Sequence, residues 1–193
     1  MTLATYREKR RFSDTPEPEG SSKKGHFKLK FVVQRHAATN LHYDFRLEME
    51  GVLKSWAVPK GPSMDPNDKR LAMMVEDHPY EYRKFEGRIP DGNYGAGMVE
   101  IWDEGTYEAE NITGKQNDER VLLAELSKGE IKFILHGEKL QGSFVLVKTD
   151  HMGENAWLLI KHKDEYAVQH YDAEAHVSPR SEVDKYLESK KNL

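Results

Sequence analysis

Short runs with the character of β-strands, separated by clusters of Gly, Pro, Asn and Asp, constrain this chain more than any other feature. The first run alternates apolar and polar residues, and the others are rich in β-branched and aromatic side chains, as in half-buried strands. Eight runs are of this kind: residues 27–33, 41–49, 52–58, 70–76, 97–103, 130–136, 143–149 and 156–162. Many short strands with turn signals between them predict an all-β sandwich or barrel.

Helical signals are few. Residues 124–128 predict a turn or two of helix, and Leu3 and Tyr6 could anchor a short helical turn near the start. Ser181, with Asp184 three residues later, resembles a capping box, which predicts a terminal helix that ends near Lys190.

The beginning of the chain has the composition of a flexible arm. Residues 15–25 are rich in Pro, Gly and Ser and poor in apolar side chains. We therefore expect an arm over residues 1–25 and a single domain over residues 26–193, a size that one domain accommodates.

Composition excludes several classes of protein. The chain has no cysteine, which rules out disulfides, thiolate zinc sites and a Cys nucleophile. No apolar run approaches the ~20 residues that span a membrane, and no signal peptide is visible, so we expect a cytoplasmic protein without a membrane partner. Residues 1–70 hold 14 Lys and Arg against 9 Asp and Glu, and the rest hold 15 against 24. This asymmetry indicates either a local anion site or ordinary scatter of surface charge.

The most distinctive polar pattern lies in the second run. Side chains two apart share a strand face, so His42, Asp44 and Arg46 line one face while apolar residues line the other. His36 could join them if the intervening stretch folds back. Two His and one Asp form a mixed donor set suited to Mn²⁺, Fe²⁺ or Zn²⁺, and Arg46 could hold a phosphate or carboxylate. Alternatively, these residues form the solvated polar face of an amphipathic strand.

Other candidate residues lie near turns. His78 precedes Pro79, which favours an extended backbone and ends a strand. His78 could act as a general acid, a general base or a hydrogen-bond donor, or it could be a surface histidine. Lys60 and Arg70, at turn–strand junctions, are either phosphate contacts or surface charges.

The irregular segment over residues 77–98 is rich in Gly and aromatics, which is typical of a site loop. Its glycines are followed by no helix pattern and no GK[ST], so a nucleotide cradle is not expected.

Three co-linear strings resemble a known family. QRHAATNLHYDFRLEMEGVLKSWAVPKGPSMDP, KRLAMMVEDHPYEY and FEGRIPDGNYGAGMVEIWDEGTY closely resemble the 3′-phosphoesterase domain of bacterial ATP-dependent DNA ligase D. The resemblance extends from about Tyr6 to about His162, and the chain is expected to be a stand-alone member of the family. It implies a compact β-barrel of about eight short strands with few short helices.

The resemblance also implies an activity. Such enzymes depend on Mn²⁺ or another divalent transition metal. They remove a 3′-terminal ribonucleoside from a DNA primer-template and then hydrolyse the 3′-phosphate, leaving the 3′-OH that ligation in non-homologous end joining needs. The implied partners are DNA 3′ ends, together with a separate ATP-dependent DNA ligase, a polymerase and Ku.

Roles in the family carry over residue by residue. The metal ligands fall on His36, His42 and Asp44, the phosphate-contacting arginine on Arg46, and the catalytic His and Tyr on His78 and Tyr82. Further functional positions fall on Gln34, Lys60, Arg70 and Glu76, and on Arg10 and Glu17 in the arm. Arg11 stands where the family usually has Asp. We expect the arm to order against the DNA end and to support ribonucleoside removal more than phosphate release.

Two other functions stay open from the residues alone. His42, Asp44 and a distal His78 also match the facial triad of a non-haem Fe(II) oxygenase, with Arg88 as the 2-oxoacid partner. That alternative leaves His36 without a role. The other is a non-catalytic barrel that binds single strands through aromatics and a basic groove. Phosphate release with Mn²⁺, 2-oxoglutarate consumption with Fe²⁺ and metal-free DNA binding distinguish the three.

Overall fold

The strand-like runs form antiparallel strands in the computed structural model, which describes residues 2–20, 28–112 and 117–191. The strands are β1 (Lys30–Ala37), β2 (Leu41–Met49), β3 (Val52–Val58), β4 (Arg70–Pro79), β5 (Gly87–Ile89), β6 (Gly97–Ala109), β7 (Glu130–His136), β8 (Gln141–Lys148) and β9 (Ala156–Lys161). The helices are α1 (Leu3–Glu8), α2 (Asp118–Lys128) and α3 (Glu182–Lys191), with 3₁₀ turns at Tyr80–Lys84 and Ala173–His176.

Eight of these strands close into a barrel. Their order is β1-β2-β3-β4-β9-β8-β7-β6, every neighbouring pair is antiparallel, and β1 pairs with β6 to complete the ring. The short β5 pairs with the beginning of β6 outside this ring. The predicted barrel of about eight strands is therefore confirmed, while residues 26 and 27, expected at the start of the domain, lie outside the described residues.

Alternation along the strands decides which side chains fill the barrel. In β2, the apolar residues Tyr43, Phe45, Leu47 and Met49 belong to the central core cluster and are at most 2% exposed. Burying side chains of this size contributes about 1.5–3 kcal/mol each relative to leaving them exposed. The intervening residues of β2 face outward, and this outer face carries the polar pattern found in the sequence.

A second apolar cluster covers part of that outer face. Its buried members are Tyr6, Leu53, Tyr80, Tyr82, Phe85, Ile89 and Val99. α1 lies against β4, and Tyr6 within it is fully buried and donates its hydroxyl to the Pro18 carbonyl at 2.7 Å. Polar side chains between the sheet and this layer are therefore shielded from bulk water although they lie outside the barrel.

The segment that leads into α3 is joined to β1 by a buried arginine. Arg35, 2% exposed, donates to both carboxylate oxygens of Glu174 at 2.9 and 2.6 Å and to Asp184 at 2.7 Å. The Asp184 amide donates to Ser181 Oγ at 3.0 Å, which is the cap expected for this helix. The terminal helix therefore begins where the sequence placed it.

α2 is longer than the turn or two predicted over residues 124–128. Asn117 caps its start by accepting from the Glu119 amide at 2.9 Å, and Gly129 ends it in the left-handed region at φ 82°. Both signals are legible in the sequence, so the prediction was too short. None of the helices in the described ranges is long and apolar enough to cross a membrane.

Candidate active site

A hairpin brings the two candidate histidines face to face. In the β1–β2 register, His36 lies directly opposite His42 and Gln34 lies opposite Asp44. Directly opposed residues project from the same side of a sheet, and the two imidazole centroids are 4.8 Å apart. The stretch between the two histidines was expected to fold back, and it does so in the turn that joins β1 and β2.

Asp44 lies between the two imidazoles. Its Oδ2 is 3.4 Å from His36 Nδ1, and its Oδ1 is 3.6 Å from His42 Nε2. One donor atom from each of the three residues falls within 4.8 Å of the others, and within the described ranges this is the group of such side chains close enough to hold a metal.

Backbone carbonyls fix how the two histidines are oriented. His36 Nε2 is 2.8 Å from the Gly95 carbonyl, and His42 Nδ1 is 2.9 Å from the Asn40 carbonyl. A carbonyl only accepts, so each of these nitrogens carries a proton, and the other nitrogen of each ring faces Asp44 and is the one that could coordinate an ion. This is the support that metal-binding histidines usually have, and the two-His, one-carboxylate set fits a divalent transition metal.

Asp44 is held as a carboxylate. Burial alone would raise the pKa of Asp44, but the charge of Arg46 and the two neighbouring histidines outweigh burial and hold that pKa far below its usual range. Asp44 therefore provides the site with an anionic oxygen donor at neutral pH.

Arg46 is fixed by three contacts. Its Nε donates to Gln34 Oε1 at 2.7 Å, one terminal nitrogen donates to Ser55 Oγ at 2.9 Å, and the other lies 3.1 Å from Asp44 Oδ2. Gln34 in turn donates to the carbonyl oxygens of Tyr82 and Phe85 at 3.0 and 2.9 Å. Gln34 thus links the barrel wall to the 3₁₀ turn that covers it.

A bulge in β4 shapes the opposite wall. Between Leu53 and Ser55 of β3 the register shifts, with Leu53 opposite His78 and Ser55 opposite Val75, so β4 contains one extra residue. As a result Val75, Glu76 and His78 all line the same cavity, which strict alternation would not allow. Bulges of this kind re-aim side chains beside active sites.

His78 is neutral in this arrangement. Its Nδ1 lies 2.9 Å from the Glu76 carbonyl, and its Nε2 lies 3.3 Å from a terminal nitrogen of Arg10, which can only donate. Burial lowers the pKa of His78 well below its usual value, and the charges of Arg46 and Arg10 lower it further. In this state Nε2 of His78 is a hydrogen-bond acceptor.

Tyr82 lies next to the imidazole ring of His78. Its hydroxyl donates to Glu17 Oε1 at 3.0 Å, and its ring centroid is 4.8 Å from that of His78. Burial raises the pKa of Tyr82 well above its usual value, and nearby Glu17 raises it further. The phenol therefore keeps its proton, and the guanidinium of Arg46 lies 4.9 Å from its ring centroid.

The N-terminal segment supplies charge to this cavity. Arg10 donates to Glu17 at 2.8 Å and to Glu76 at 3.2 Å, and Lys9 contacts the second oxygen of Glu76 at 2.9 Å. Glu17 is buried, whereas Arg11 is exposed. Arg10 and Glu17 therefore lie against the site, while the flexibility of the arm stays a prediction and its residues 21–25 lie outside the described residues.

Two of the candidate residues lie elsewhere. Lys60 and Arg70 line a separate cavity of about 430 Å³ with Pro59 and Leu71, and Arg70 is paired with Asp68 at 2.9 Å. The cavity at the two histidines and Asp44 is smaller, about 270 Å³. Sequence reasoning did not single out Lys9 or Tyr94, which border or line this cavity, although Tyr94 lies within the predicted site loop over residues 77–98.

Comparison with known proteins identifies the family. A model of the DNA ligase D 3′-phosphoesterase domain matches residues 34–148. This chain belongs to that family. The match begins within β1, includes β2 to β4 and continues to the end of β8.

Relatives of this phosphoesterase domain are longer proteins. The chain is 50% identical over 165 residues to the multifunctional non-homologous end joining protein LigD of Pseudomonas aeruginosa, covering 84% of this chain and 19% of that protein. It is 44% identical over 186 residues to the protein of the same name from Mycolicibacterium smegmatis, covering 95% of this chain and 24% of that protein. The chain thus spans about a fifth to a quarter of these relatives.

Proposed function

We propose that this chain is a divalent-metal-dependent phosphoesterase that heals DNA 3′ ends. It removes a 3′-terminal ribonucleoside and then the remaining 3′-phosphate, leaving a 3′-OH for ligation in non-homologous end joining. Membership of the ligase D 3′-phosphoesterase family supports the class of reaction, and the names of the relatives support the repair process.

One observation carries the proposal. Two oriented histidines, a carboxylate of lowered pKa and a fixed guanidinium share one cavity with a neutral histidine. His36, His42 and Asp44 would hold the ion, which we take to be Mn²⁺ or another divalent transition metal. When bound, such an ion supplies Lewis-acid stabilisation of charge on phosphoryl oxygens.

The chain's own side chains bind and orient the phosphate. The three contacts of Arg46 leave two of its five N–H groups for phosphate oxygens. Tyr82 brings a phenol that stays protonated. His78 becomes a donor to the phosphate only when its Nε2 is protonated, and that requires Arg10 to release it. Arg46 and a protonated His78 would then stabilise the charge that develops in the transition state.

The proposed partners follow from the reaction. The substrate is the 3′ end of a DNA primer-template, and the product 3′-OH is used by a DNA ligase. A polymerase that adds ribonucleotides, and Ku as the end-binding protein, would act at the same breaks.

A primer-template assay tests the proposal directly. Primers ending in a 3′-ribonucleotide or a 3′-phosphate are incubated with and without Mn²⁺, and the products are resolved on a denaturing gel. We expect conversion to the 3′-OH only with metal. His42→Ala and Asp44→Ala should each abolish both steps, because the same ion serves both.

Matched controls separate loss of the site from loss of the fold. His151→Ala and Asp150→Ala change exposed residues outside the cavity and should keep full activity. Titration with Mn²⁺, followed by the loss of its free-ion electron paramagnetic resonance signal, should show binding to both controls but not to His42→Ala. Near-normal turnover by His42→Ala would refute the metal assignment.

Neither alternative function gains support from the geometry. The oxygenase alternative needs Arg88 at the site, but Arg88 pairs with Asp91 at 2.9 Å and is largely exposed. His78, its third ligand, lies outside the group of three donors. A single-strand-binding barrel would not require carbonyl-anchored histidines on either side of an ionised aspartate.

A further inference from the structure

An exposed tyrosine stands at the rim of the candidate site, and the chemistry proposed above does not use it. Tyr94 lines the same cavity as His36, His42 and Asp44, yet it is 48% exposed. Tyr82, the other tyrosine lining that cavity, is 2% exposed. A large apolar ring left open beside a buried polar site favours contact with a ligand over core packing.

Tight turns fix the position of this ring. Gly92 and Gly95, on either side of Tyr94, have φ values of 85° and 75°, a region that glycine adopts without strain. The Gly95 carbonyl is also the group that His36 Nε2 contacts at 2.8 Å. Tyr94 is therefore one residue away from the backbone group that orients a candidate metal ligand.

Two cations from the N-terminal segment lie near the same ring. Lys9 Nζ is 4.6 Å from the ring centroid and 3.4 Å from the Tyr94 hydroxyl, and the guanidinium carbon of Arg10 is 5.5 Å from the centroid. Such contacts hold an aromatic ring in place. Both cations also pair with Glu76, at 2.9 Å from Lys9 and 3.2 Å from Arg10, so these contacts tie the ring to the N-terminal segment.

We propose that Tyr94 is a stacking platform for the base of the terminal nucleotide. This inference rests on the proposed function, because it takes the phosphate at Arg46 and the three metal-binding residues as the anchor. The nucleoside that carries that phosphate then meets the rim, where the exposed aromatic ring of Tyr94 complements a base. Stacking tolerates any base, so Tyr94 holds the end without selecting its sequence.

Paired substrates test the platform. One primer ends in an ordinary nucleotide 3′-phosphate, and the other ends in an abasic deoxyribose 3′-phosphate. Tyr94→Ala should raise KM roughly tenfold on the first, as expected for loss of one stacked base, and leave KM on the second unchanged. Tyr94→Phe, which keeps the ring, should behave like the wild type on both.

A fluorescence measurement reads the same contact without turnover. A primer that ends in a 2-aminopurine nucleotide 3′-phosphate should not be turned over without metal, and its emission should be quenched on binding to the wild type but not to Tyr94→Ala. Tyr166→Ala removes a tyrosine of similar exposure, 43%, outside the site cavity and should keep the quenching.

The two proposals fail in different ways. Equal KM changes on the base-bearing and abasic ends, or full quenching in Tyr94→Ala, would overturn the stacking platform while Mn²⁺-dependent phosphate release continued. Absence of phosphate release by the wild type on both ends would instead overturn the proposed function.

Discussion

Each of the three guanidinium nitrogens of Arg46 makes a contact, and these contacts limit which side chains can replace Arg46. Gln34, Ser55 and Asp44 each contact a different nitrogen. A lysine at this position would keep the charge, but its single ammonium group cannot reproduce the planar fork. A substitution at position 46 can therefore show whether the site needs only a positive charge or also the planar geometry of the guanidinium.

We expect Arg46→Lys to lower kcat for phosphate release by about 10²–10³-fold, the usual cost of losing one oriented transition-state donor. Mn²⁺ should still bind, because His36, His42 and Asp44 are unchanged. Steady-state kinetics and metal titration check both points, with Arg88→Lys as an exposed control. Near wild-type kcat in Arg46→Lys would show that charge alone is sufficient.

At the scale of the secondary-structure elements, α1 and the chain that follows it pack directly against the site. Tyr6 lies with its ring centroid 4.9 Å from that of His78 and 6.0 Å from that of Tyr82. Deleting residues 1–20 would therefore expose an apolar cluster as well as remove Arg10. A deletion confounds stability with substrate contacts, so a single substitution is the sharper test of the arm.

Arg10→Gln should depress ribonucleoside removal much more than phosphate release. Removing a ribonucleoside requires the sugar and its 2′-OH to be positioned, which asks for contacts beyond those to the phosphate. Rates on ribonucleotide-ended and phosphate-ended primers give the ratio of the losses in the two steps. Arg7→Gln, at an exposed position of α1, is the control. Equal losses in both steps would mean that Arg10 supports the cavity generally.

Strand-like runs with turn signals between them were enough to predict the barrel strands, and period-two geometry was enough to predict the shared face of His42, Asp44 and Arg46. It could not predict the bulge at Glu76 and His78, because a bulge depends on how two strands pair rather than on one strand's pattern. It also could not place Arg10 beside His78, since 68 residues separate them. Leu3 and Tyr6 were expected to anchor a helical turn, which is α1, but the polar composition of the arm gave no sign that Tyr6 packs beside the site.

At the scale of the whole molecule, Arg35 connects the barrel to the C-terminal segment. It contacts Glu100, Glu174, Ser181 and Asp184. Arg35 also lies between Gln34 and His36 in β1, whose side chains face the site. The C-terminal segment and the candidate site therefore both contact the same strand, β1.

Arg35→Met should lower the free energy of unfolding by about 3 kcal/mol, the lower end for breaking a buried ion pair. We choose the lower end because Glu174 and Asp184 remain 43% and 49% exposed and can be hydrated. Urea unfolding measures the change, and Lys185→Met, which removes an exposed ion pair, should cost under about 1 kcal/mol. A urea unfolding midpoint for Arg35→Met equal to that for Lys185→Met would contradict a stabilising role for the Arg35 ion pairs.

The hairpin between β1 and β2 places all three residues of the candidate metal site within nine consecutive residues, 36 to 44. Three residues, 38–40, form its loop, so positions six apart across the loop are directly opposed. A one-residue slip in the pairing of β1 with β2 would turn one histidine to the other face. The spacing His-x₅-His-x-Asp can therefore be searched for in other antiparallel hairpins with a three-residue loop, or introduced into them by mutation.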